Sequence, residues 1–477
     1  MTIHWLDYAI IILYFFVVVY IGYWAMKKVT NFDDYAVAGR GLPMSIFFAA
    51  IAATLCGGGA TIGRVSFMHT TGIVVFAGLI GVVINQIFSG LYIAGRVHNI
   101  KNVYSVGDLF GLYYGRAGRL VSSIVCFFFC LGLYGVQILA MGAILQTAVG
   151  IDLIPAALIS SVITLAYTWS GGMLAVTMTD AVQYVIIIIG VSLCGYLAID
   201  HLGGFDAMMA TLNAMPRYES NLKLFSGWGP IQFAGLFLSF LFGEFCAPYF
   251  IQRYASTKSA KDSKNGLLIF GVHWIFFMAT TAAIGLASMA IQPDVKPDLA
   301  FTNLIRDVLP IGVTGLVLAA LLAAVMSSGA AFINTACVVY TRDIYNKFIN
   351  PQATQDQMLR QSRMSTLLVG GVSIGVAILF QDVFGLMIYI FKLWPSAIIP
   401  PLLAGLLWGK VSPYAGAPAV VIGVVSCFLW SDKVLGEPFG IPANLIGIGL
   451  NCLTLFVVHQ MMKRRVPSTG IYAPEVL

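Results

Sequence analysis

The chain has 477 residues, of which 59% are hydrophobic and 10% charged, and its formal net charge is +6. Because water-soluble domains carry about 25% charged residues, this composition excludes a water-soluble fold. The sequence contains no Walker or HExxH motif and no GxSxG nucleophile elbow, since its one GVSIG stretch, at residues 371–375, lies inside an apolar run. No pattern of residues therefore supports an enzyme.

A membrane-spanning helix needs about 20 mostly apolar residues. Apolar runs of this length recur along the chain and predict an all-α membrane protein with about thirteen transmembrane helices, embedded in a lipid bilayer. In chain order, the predicted spans 1 to 13 are residues 7–26, 44–69, 72–95, 118–148, 152–170, 175–199, 230–252, 266–291, 309–341, 364–381, 383–408, 413–430 and 442–462.

The positive charges between the spans predict the orientation of the chain. If the N-terminus lies outside, the cytoplasmic loops hold 19 of the 26 Lys and Arg residues and the outer loops hold five, while Arg64 and Lys392 fall within spans. Positive residues favour cytoplasmic loops, so we expect a multi-pass protein of the cell inner membrane. Its N-terminus is predicted outside, and its C-terminus, with Lys463, Arg464 and Arg465, in the cytoplasm. This asymmetry accounts for the net charge without a nucleic-acid partner.

Span 2 contains three consecutive glycines, Gly57, Gly58 and Gly59. Glycine loosens a helix, and free backbone polar groups at membrane depth are tolerated only where they line a cavity or meet a ligand. Span 2 is therefore predicted to be a discontinuous helix that binds a ligand near the membrane midplane.

Span 7 is also interrupted, by Gly243, Glu244 and Pro248. A proline removes a helix hydrogen bond and kinks the helix. Spans 2 and 7 lie five apart, and because five is odd, spans 7–11 run opposite to spans 2–6, as in the inverted repeats of many secondary transporters. The predicted parts are a peripheral helix and loop at 1–43, a first five-helix repeat at 44–199, a second, inverted repeat at 200–410, and two peripheral helices with a short tail at 411–477.

Span 9 carries two adjacent serines, Ser327 and Ser328, in a strongly apolar run. One interpretation is that both hydroxyls donate to carbonyls of the preceding helical turn. The other is a sodium site, because a hard cation prefers oxygen ligands. Two hydroxyls are too few for such a site, but the interrupted span 2 has backbone carbonyls that would complete it.

Several segments together resemble the sodium:solute symporter family, whose members carry sugars, proline, pantothenate, choline and sialic acid. The similarity covers essentially the whole chain, and it identifies the family more specifically than the solute. The segments are FDDYAVAGRGLP after span 1, AATLCGGGATIG in span 2, YTWSGGMLAVTMTDAVQ between spans 5 and 6, IQRYASTKSAKDS after span 7, AAVMSSGAA and TRDIY in span 9, and LLAGLLWGK at the end of span 11.

The resemblance implies a LeuT-type 5+5 inverted-repeat fold with a sodium site between spans 2 and 9. Carried over by position, that site takes the backbone carbonyls of Ala52, Leu55 and Ala324 and the hydroxyls of Ser327 and Ser328.

Some relatives bind a second sodium through an acidic residue, matched here by Asp180, and extra serines. Those serine positions hold Ala330 and Ala331, which have no side-chain oxygen. We therefore expect one sodium ion and no second one. Asp180 is then either a helix-coupling residue or a proton site, because a carboxylate in a membrane helix is costly.

Three charged residues within spans are candidates for solute binding, Glu244, Arg64 and Lys392. In one interpretation Glu244 pairs with Lys392 or Arg64 and locks helices together. In the other, one of these groups contacts the solute. Arginine grips a carboxylate with two parallel hydrogen bonds, so Arg64 favours an organic anion or an amino acid.

The remaining solute-binding candidates lie near the two breaks. They are Gly57, Gly58 and Gly59 in span 2, Tyr134 and Gln137 on one face of span 4, and Tyr249 after the span 7 break. Core packing is the alternative role of the tyrosines and the glutamine.

These features predict a secondary active transporter that couples the uptake of a small organic solute to sodium by alternating access and functions as a monomer. The solute is an amino acid, carboxylate, sugar or vitamin-like molecule. The alternative is a proton-coupled solute carrier in which Glu244 or Asp180 takes the proton.

Overall fold

The computed structural model describes residues 4–224, 228–379 and 383–462. Helices dominate this part of the chain, and it contains no named β-strand. The α-helices are α1 (Trp5–Met26), α2 (Phe32–Val37), α3 (Met44–Leu55), α4 (Ile62–Thr71), α5 (Val74–Phe88), α6 (Ala94–Asn99), α7 (Val106–Val149), α8 (Leu153–His201), α9 (Phe205–Asn213), α10 (Pro230–Phe242), α11 (Pro248–Ser256), α12 (Ala260–Ile291), α13 (Ala300–Val308), α14 (Val313–Val339), α15 (Gln355–Leu379), α16 (Val383–Ala397), α17 (Ile399–Leu403), α18 (Gly416–Trp430) and α19 (Ala443–Met461).

The described residues include eight helices that are long and apolar enough to cross a membrane, or nine if the pair Gly385–Ala397 and Ile399–Trp408, bent by 46°, is one span. The expected count of thirteen is therefore not confirmed. Several predicted spans consist of helices too short to cross alone, such as α3, α10 and α18, and two predicted spans share one long helical run. Residues 380–382, at one predicted span boundary, and the predicted cytoplasmic tail with Lys463, Arg464 and Arg465 lie outside the described residues.

Helix α8 turns back on itself at Gly172. Its 49 residues would extend roughly 74 Å as a straight helix, more than twice the hydrocarbon core of a bilayer. Gly172 has φ +52° and ψ −142°, a conformation that glycine adopts without steric cost.

Contacts on the two sides of Gly172 confirm the reversal. The Tyr167 hydroxyl donates to the Met326 carbonyl at 2.9 Å. Gln183 Nε2 donates to the Tyr14 hydroxyl at 2.7 Å, and that hydroxyl lies 3.5 Å from Met326 Sδ. A straight helix would separate residues 167 and 183 by roughly 24 Å. Predicted spans 5 and 6 are therefore the two arms of one helical hairpin.

The helical path is interrupted at both predicted breaks. Helix α3 ends at Leu55 and α4 begins at Ile62, while α10 ends at Phe242 and α11 begins at Pro248. That each pair forms one discontinuous membrane crossing stays a prediction.

Helix α14 lies at the centre of the molecule, with every residue from 317 to 339 buried. It packs against α7, α8, α1 and α3. The outer helices expose large apolar side chains, as expected of a surface that faces lipid. Examples are Trp5, Phe16, Phe128, Ile189, Leu368 and Phe456. The serine pair of α14 thus sits in the protein core, next to the end of α3.

Candidate sodium and solute site

The loop between α3 and α4 touches α7 and α14 closely, and its glycines permit that approach. The Gly58 N–H donates to Gln137 Oε1 on α7 at 2.8 Å. A Cβ on Gly57 would fall far inside van der Waals contact of Ser328 Oγ, and 2.8 Å from Ser328 Cβ. A Cβ on Gly58 would overlap Ala140. Neither glycine has a positive φ, so the backbone conformation does not require glycine here. What requires it is the lack of space for a Cβ between the loop and helices α7 and α14.

The serine pair lies against the end of α3. The Ser328 hydroxyl is within hydrogen-bond distance of the Thr54 carbonyl at 2.5 Å and the Ala324 carbonyl at 3.0 Å, and the Ser327 hydroxyl donates to the Ala324 carbonyl at 3.3 Å. These bonds within α14 are those of the packing interpretation. A hydroxyl that donates keeps lone pairs that a cation can use, so the same arrangement is compatible with a sodium ligand.

Of the other carbonyls in the predicted sodium set, Ala52 accepts the Cys56 N–H at 3.2 Å, and Leu55 is the last residue of α3. Sequence reasoning missed Thr54, whose carbonyl lies 2.5 Å from the Ser328 hydroxyl. Within the described residues, no group of three or more His, Cys, Asp or Glu side chains is placed to hold a metal. The predicted sodium ligands are all neutral oxygens.

A cavity of about 50 Å³ adjoins the serine pair and the glycine loop. Its lining comes from the α3–α4 loop, from the break between α10 and α11, and from helices α3, α4, α5, α7, α10, α12, α14 and α16. The lining residues are Thr54, Leu55, Gly57, Gly59, Ala60, Arg64, Val75, Leu79, Val82, Leu133, Gln137, Phe240, Glu244, Trp274, Ser328, Phe332, Met387 and Phe391.

Five of the predicted solute-binding residues line this cavity: Gly57, Gly59, Arg64, Gln137 and Glu244. Sequence reasoning missed its apolar wall. Those residues carry no local signal, because a cavity-facing Leu or Phe in a membrane helix looks like one that faces lipid.

Four predicted solute-binding residues do not line the cavity. Gly58 contacts α7 as described above. The buried Tyr134 hydroxyl lies 3.5 Å from the Ser161 carbonyl, and the Tyr249 hydroxyl donates to Glu244 Oε1 at 2.7 Å. Lys392 lines a second, larger cavity.

The predicted ion pairs of Glu244 are wrong. Lys392 Nζ lies 2.6 Å from Glu437 Oε1, in the loop before α19. Arg64 Nη1 donates to Thr281 Oγ1 at 2.8 Å, and its guanidinium lies 5.2 Å from the centre of the Trp274 ring. Glu244 and Arg64 therefore share a cavity without forming an ion pair within 4.0 Å.

Asp180 is paired in the core. Its Oδ2 accepts a hydrogen bond from Arg253 Nη2 at 3.0 Å, and both side chains are buried. The same nitrogen donates to Thr54 Oγ1 at 2.7 Å. Asp180 thus links α8 to α11 and, through Arg253, to the residue beside the serine pair. This arrangement favours the helix-coupling role.

A second buried ion cluster, missed from the sequence, ties α7 to the end of α14. Arg119 Nη1 lies 2.7 Å from Asp108 Oδ1 and 3.0 Å from Asp343 Oδ1. Asp343 follows the last residue of α14 within a π-helical extension, Tyr340–Ile349. The helix that carries the serines is therefore anchored by buried charge beyond its own end.

Comparison with known proteins gives a consistent result. A model of the sodium:solute symporter family matches residues 35–423. The chain is 24% identical to the osmoregulated proline transporter OpuE of Bacillus subtilis, with 96% of this chain and 95% of that protein covered. It is 23% identical to a sodium/glucose cotransporter of Vibrio parahaemolyticus, with coverage of 92% and 86%.

A solved structure of a Na+-coupled sialic acid symporter, in a substrate-bound outward-open state, matches with a TM-score of 0.82. The sequence identity is 18%, and the match covers 97% of this chain and 98% of that one. At this identity the likeness shows a shared fold. The relatives named for proline and for glucose have nearly the same sequence identity to this chain, 24% and 23%. Sequence identity alone therefore does not select a solute.

Proposed function

The chain belongs to the sodium:solute symporter family, whose members are sodium-coupled membrane transporters and not enzymes, and from that premise we propose that it carries one small organic solute with one sodium ion by alternating access. The inverted repeat of spans 2–6 and 7–11, the outside N-terminus and function as a monomer in the inner membrane belong to the same proposal. The observation that carries it is the contact of Ser328 with both the end of α3 and the cavity.

The proposed sodium ligands are the carbonyls of Ala52, Leu55 and Ala324 and the hydroxyls of Ser327 and Ser328. A sodium ion at this position would join α14 to the end of α3. The Ser328–Thr54 hydrogen bond, 2.5 Å long, supports the assignment because it already brings the two elements within the span of one small cation. No second sodium is proposed, since Ala330 and Ala331 add no side-chain oxygen.

One sodium supplies enough free energy for concentrative uptake. One charge moving down about 100 mV yields about 2.3 kcal/mol, and a tenfold sodium gradient adds about 1.4 kcal/mol. The sum, about 3.7 kcal/mol, sustains a roughly 500-fold gradient of a solute without net charge.

The test is the double substitution Ser327→Ala with Ser328→Ala. We expect sodium-dependent thermal stabilisation and sodium-driven uptake in proteoliposomes to need at least about tenfold more sodium, since hydrogen bonds and oxygen contacts to charged groups contribute about 1.5–3 kcal/mol.

The matched control is Ser160→Ala with Ser161→Ala, because this adjacent pair on α8 is also buried and bonds back to its own helix. An unchanged sodium requirement in the α14 double variant would refute the site.

Proton coupling is the second candidate, and the half-buried position of Glu244 at the cavity without an ion pair favours it. Asp180 is a weaker candidate because Arg253 already compensates its charge. Uptake that persists without sodium and collapses with a proton uncoupler would establish this alternative.

A further inference from the structure

The cavity beside the glycine loop contains one positive and one negative side chain. Among the described residues that line it, Arg64 and Glu244 are the charged ones. They lie on different elements, Arg64 on α4 and Glu244 in the break between α10 and α11. No ion pair within 4.0 Å joins them, although each lies within electrostatic range of the other.

Each of these groups is held by one neutral partner and keeps hydrogen-bonding capacity. A guanidinium has five N–H donors and a carboxylate about four acceptor positions. Thr281 engages Nη1 of Arg64, and Tyr249 donates to one oxygen of Glu244. The two side chains are thus fixed in position, with further donors and acceptors free for a bound molecule.

The rest of the wall is largely apolar. It consists mainly of Leu55, Val75, Leu79, Val82, Leu133, Phe240, Trp274, Phe332, Met387 and Phe391. A sugar would leave several hydroxyls without partners there, at a cost of about 1–3 kcal/mol each. An apolar ring or side chain would gain by burial against the same wall.

From this arrangement we infer that the solute is a zwitterion with an apolar body, such as a small apolar amino acid. Its carboxylate binds Arg64, its ammonium group binds Glu244, and its side chain lies against the apolar wall. The inference rests on the proposed function and specifies the solute of the same site.

The coupling energetics agree with this choice. A zwitterion has no net charge, so its symport with one sodium keeps the membrane-potential contribution, about 2.3 kcal/mol per 100 mV. A monoanion carried with one sodium would move no net charge and would retain only the sodium gradient. The charges of Arg64 and Glu244 sum to zero, so the cavity has no net charge before or after a zwitterion binds.

The experiment uses L-proline and L-leucine in three charge forms: the free amino acid, its amide, which is a cation, and its N-acetyl derivative, which is an anion. Binding to the purified full chain in sodium is measured by thermal stabilisation and by calorimetry. We expect at least one free amino acid to bind at least tenfold more tightly than either derivative. D-glucose should not bind.

Two variants assign the charges. Arg64→Gln should remove the preference for the amino acid over its amide, and Glu244→Gln should remove the preference over the N-acetyl form. Arg64→Lys should restore part of the first preference. The control Lys392→Gln removes a charge outside the cavity, paired with Glu437, and should leave the order of the three forms unchanged.

A residue with only a structural role would weaken binding of all three forms by the same factor, and that result would overturn the inference. Tighter binding of glucose or of the N-acetyl form, or no binding of either amino acid, would also overturn it. If Arg64→Gln does not fold, the order of the three forms in the unaltered protein decides. Zwitterion binding without sodium dependence would refute the proposed function and leave the substrate class standing. Sodium-driven glucose uptake would support the proposed function and refute the substrate class.

Discussion

Replacing Gly57 by alanine tests whether the glycine loop sets the geometry of the sodium site. The φ of Gly57 is not positive, so alanine fits the backbone conformation. Its methyl group does not fit the space, because it would overlap Ser328 Oγ and lie 2.8 Å from Ser328 Cβ and 2.9 Å from Gln137 Oε1. Ser328 belongs to the buried helix α14 and has little freedom to move.

The overlap sets the size of the effect. Overpacking costs typically about 1–3 kcal/mol. The easiest relief is rotation of the Ser328 hydroxyl away from the Thr54 carbonyl, which loses a hydrogen bond that contributes about 0.5–1.5 kcal/mol. We therefore expect Gly57→Ala to lower the free energy of unfolding by about 1.5–4.5 kcal/mol. Removal of one sodium ligand should also weaken sodium binding at least about tenfold.

Two neighbouring substitutions separate this effect from general crowding. A methyl group at Gly59 would meet the thioether of Met387, a flexible side chain that also lines the cavity. Gly59→Ala should therefore weaken solute binding and leave sodium binding unchanged. Gly371 of α15 has no atom within 4 Å of its added Cβ, so Gly371→Ala should be neutral or stabilise by up to about 1 kcal/mol.

The assay is thermal unfolding of each purified variant over a sodium titration, repeated with the solute present. Sodium titrations that coincide for Gly57→Ala and Gly371→Ala would show that Gly57 does not control the position of Ser328 in the functional protein.

Two further predictions concern the buried ion pairs. Asp180→Asn leaves Arg253 charged and unpaired in the core, which should cost about 3–5 kcal/mol of stability; adding Arg253→Gln should recover part of it, and equal loss in the single and double variants would contradict the pairing. Arg119→Gln leaves Asp108 and Asp343 facing each other with less compensation, so we expect a similar loss that Asp343→Asn relieves. Thermal unfolding measures both, and an unaltered midpoint in Arg119→Gln would count against a structural role for the cluster.

Local sequence signals predicted the parts of the fold that depend on backbone chemistry. Glycine and proline within apolar runs marked the breaks after Leu55 and Phe242, because these residues disfavour continuous helix wherever they occur. The family was also identifiable from the motifs around these breaks, and the match over residues 35–423 confirms it.

The partners of charged side chains within the apolar runs were not predictable in the same way. Lys392 lies in an apolar run, and the candidate partner in the sequence was Glu244. In the structure it pairs with Glu437, in a loop 45 residues further along the chain. Nothing local to Glu437 distinguishes it from other acidic loop residues, since the pairing depends on how α16 packs beside α19.

If sodium and solute bind at the proposed sites, the arrangement of the loop between α3 and α4 would couple them without a long pathway. Leu55 and Ser328 belong to the proposed sodium site and also line the cavity, and Gly57 contacts Ser328 directly. A cation held between α3 and α14 would fix the loop that forms one wall of the cavity, and a solute against that wall would favour the loop conformation that binds the cation. Such coupling is reciprocal: whatever factor sodium adds to solute affinity, the solute must add to sodium affinity. Because the two sites share residues, we expect this factor to disappear when the shared contact at Ser328 is removed, even where each ligand still binds on its own.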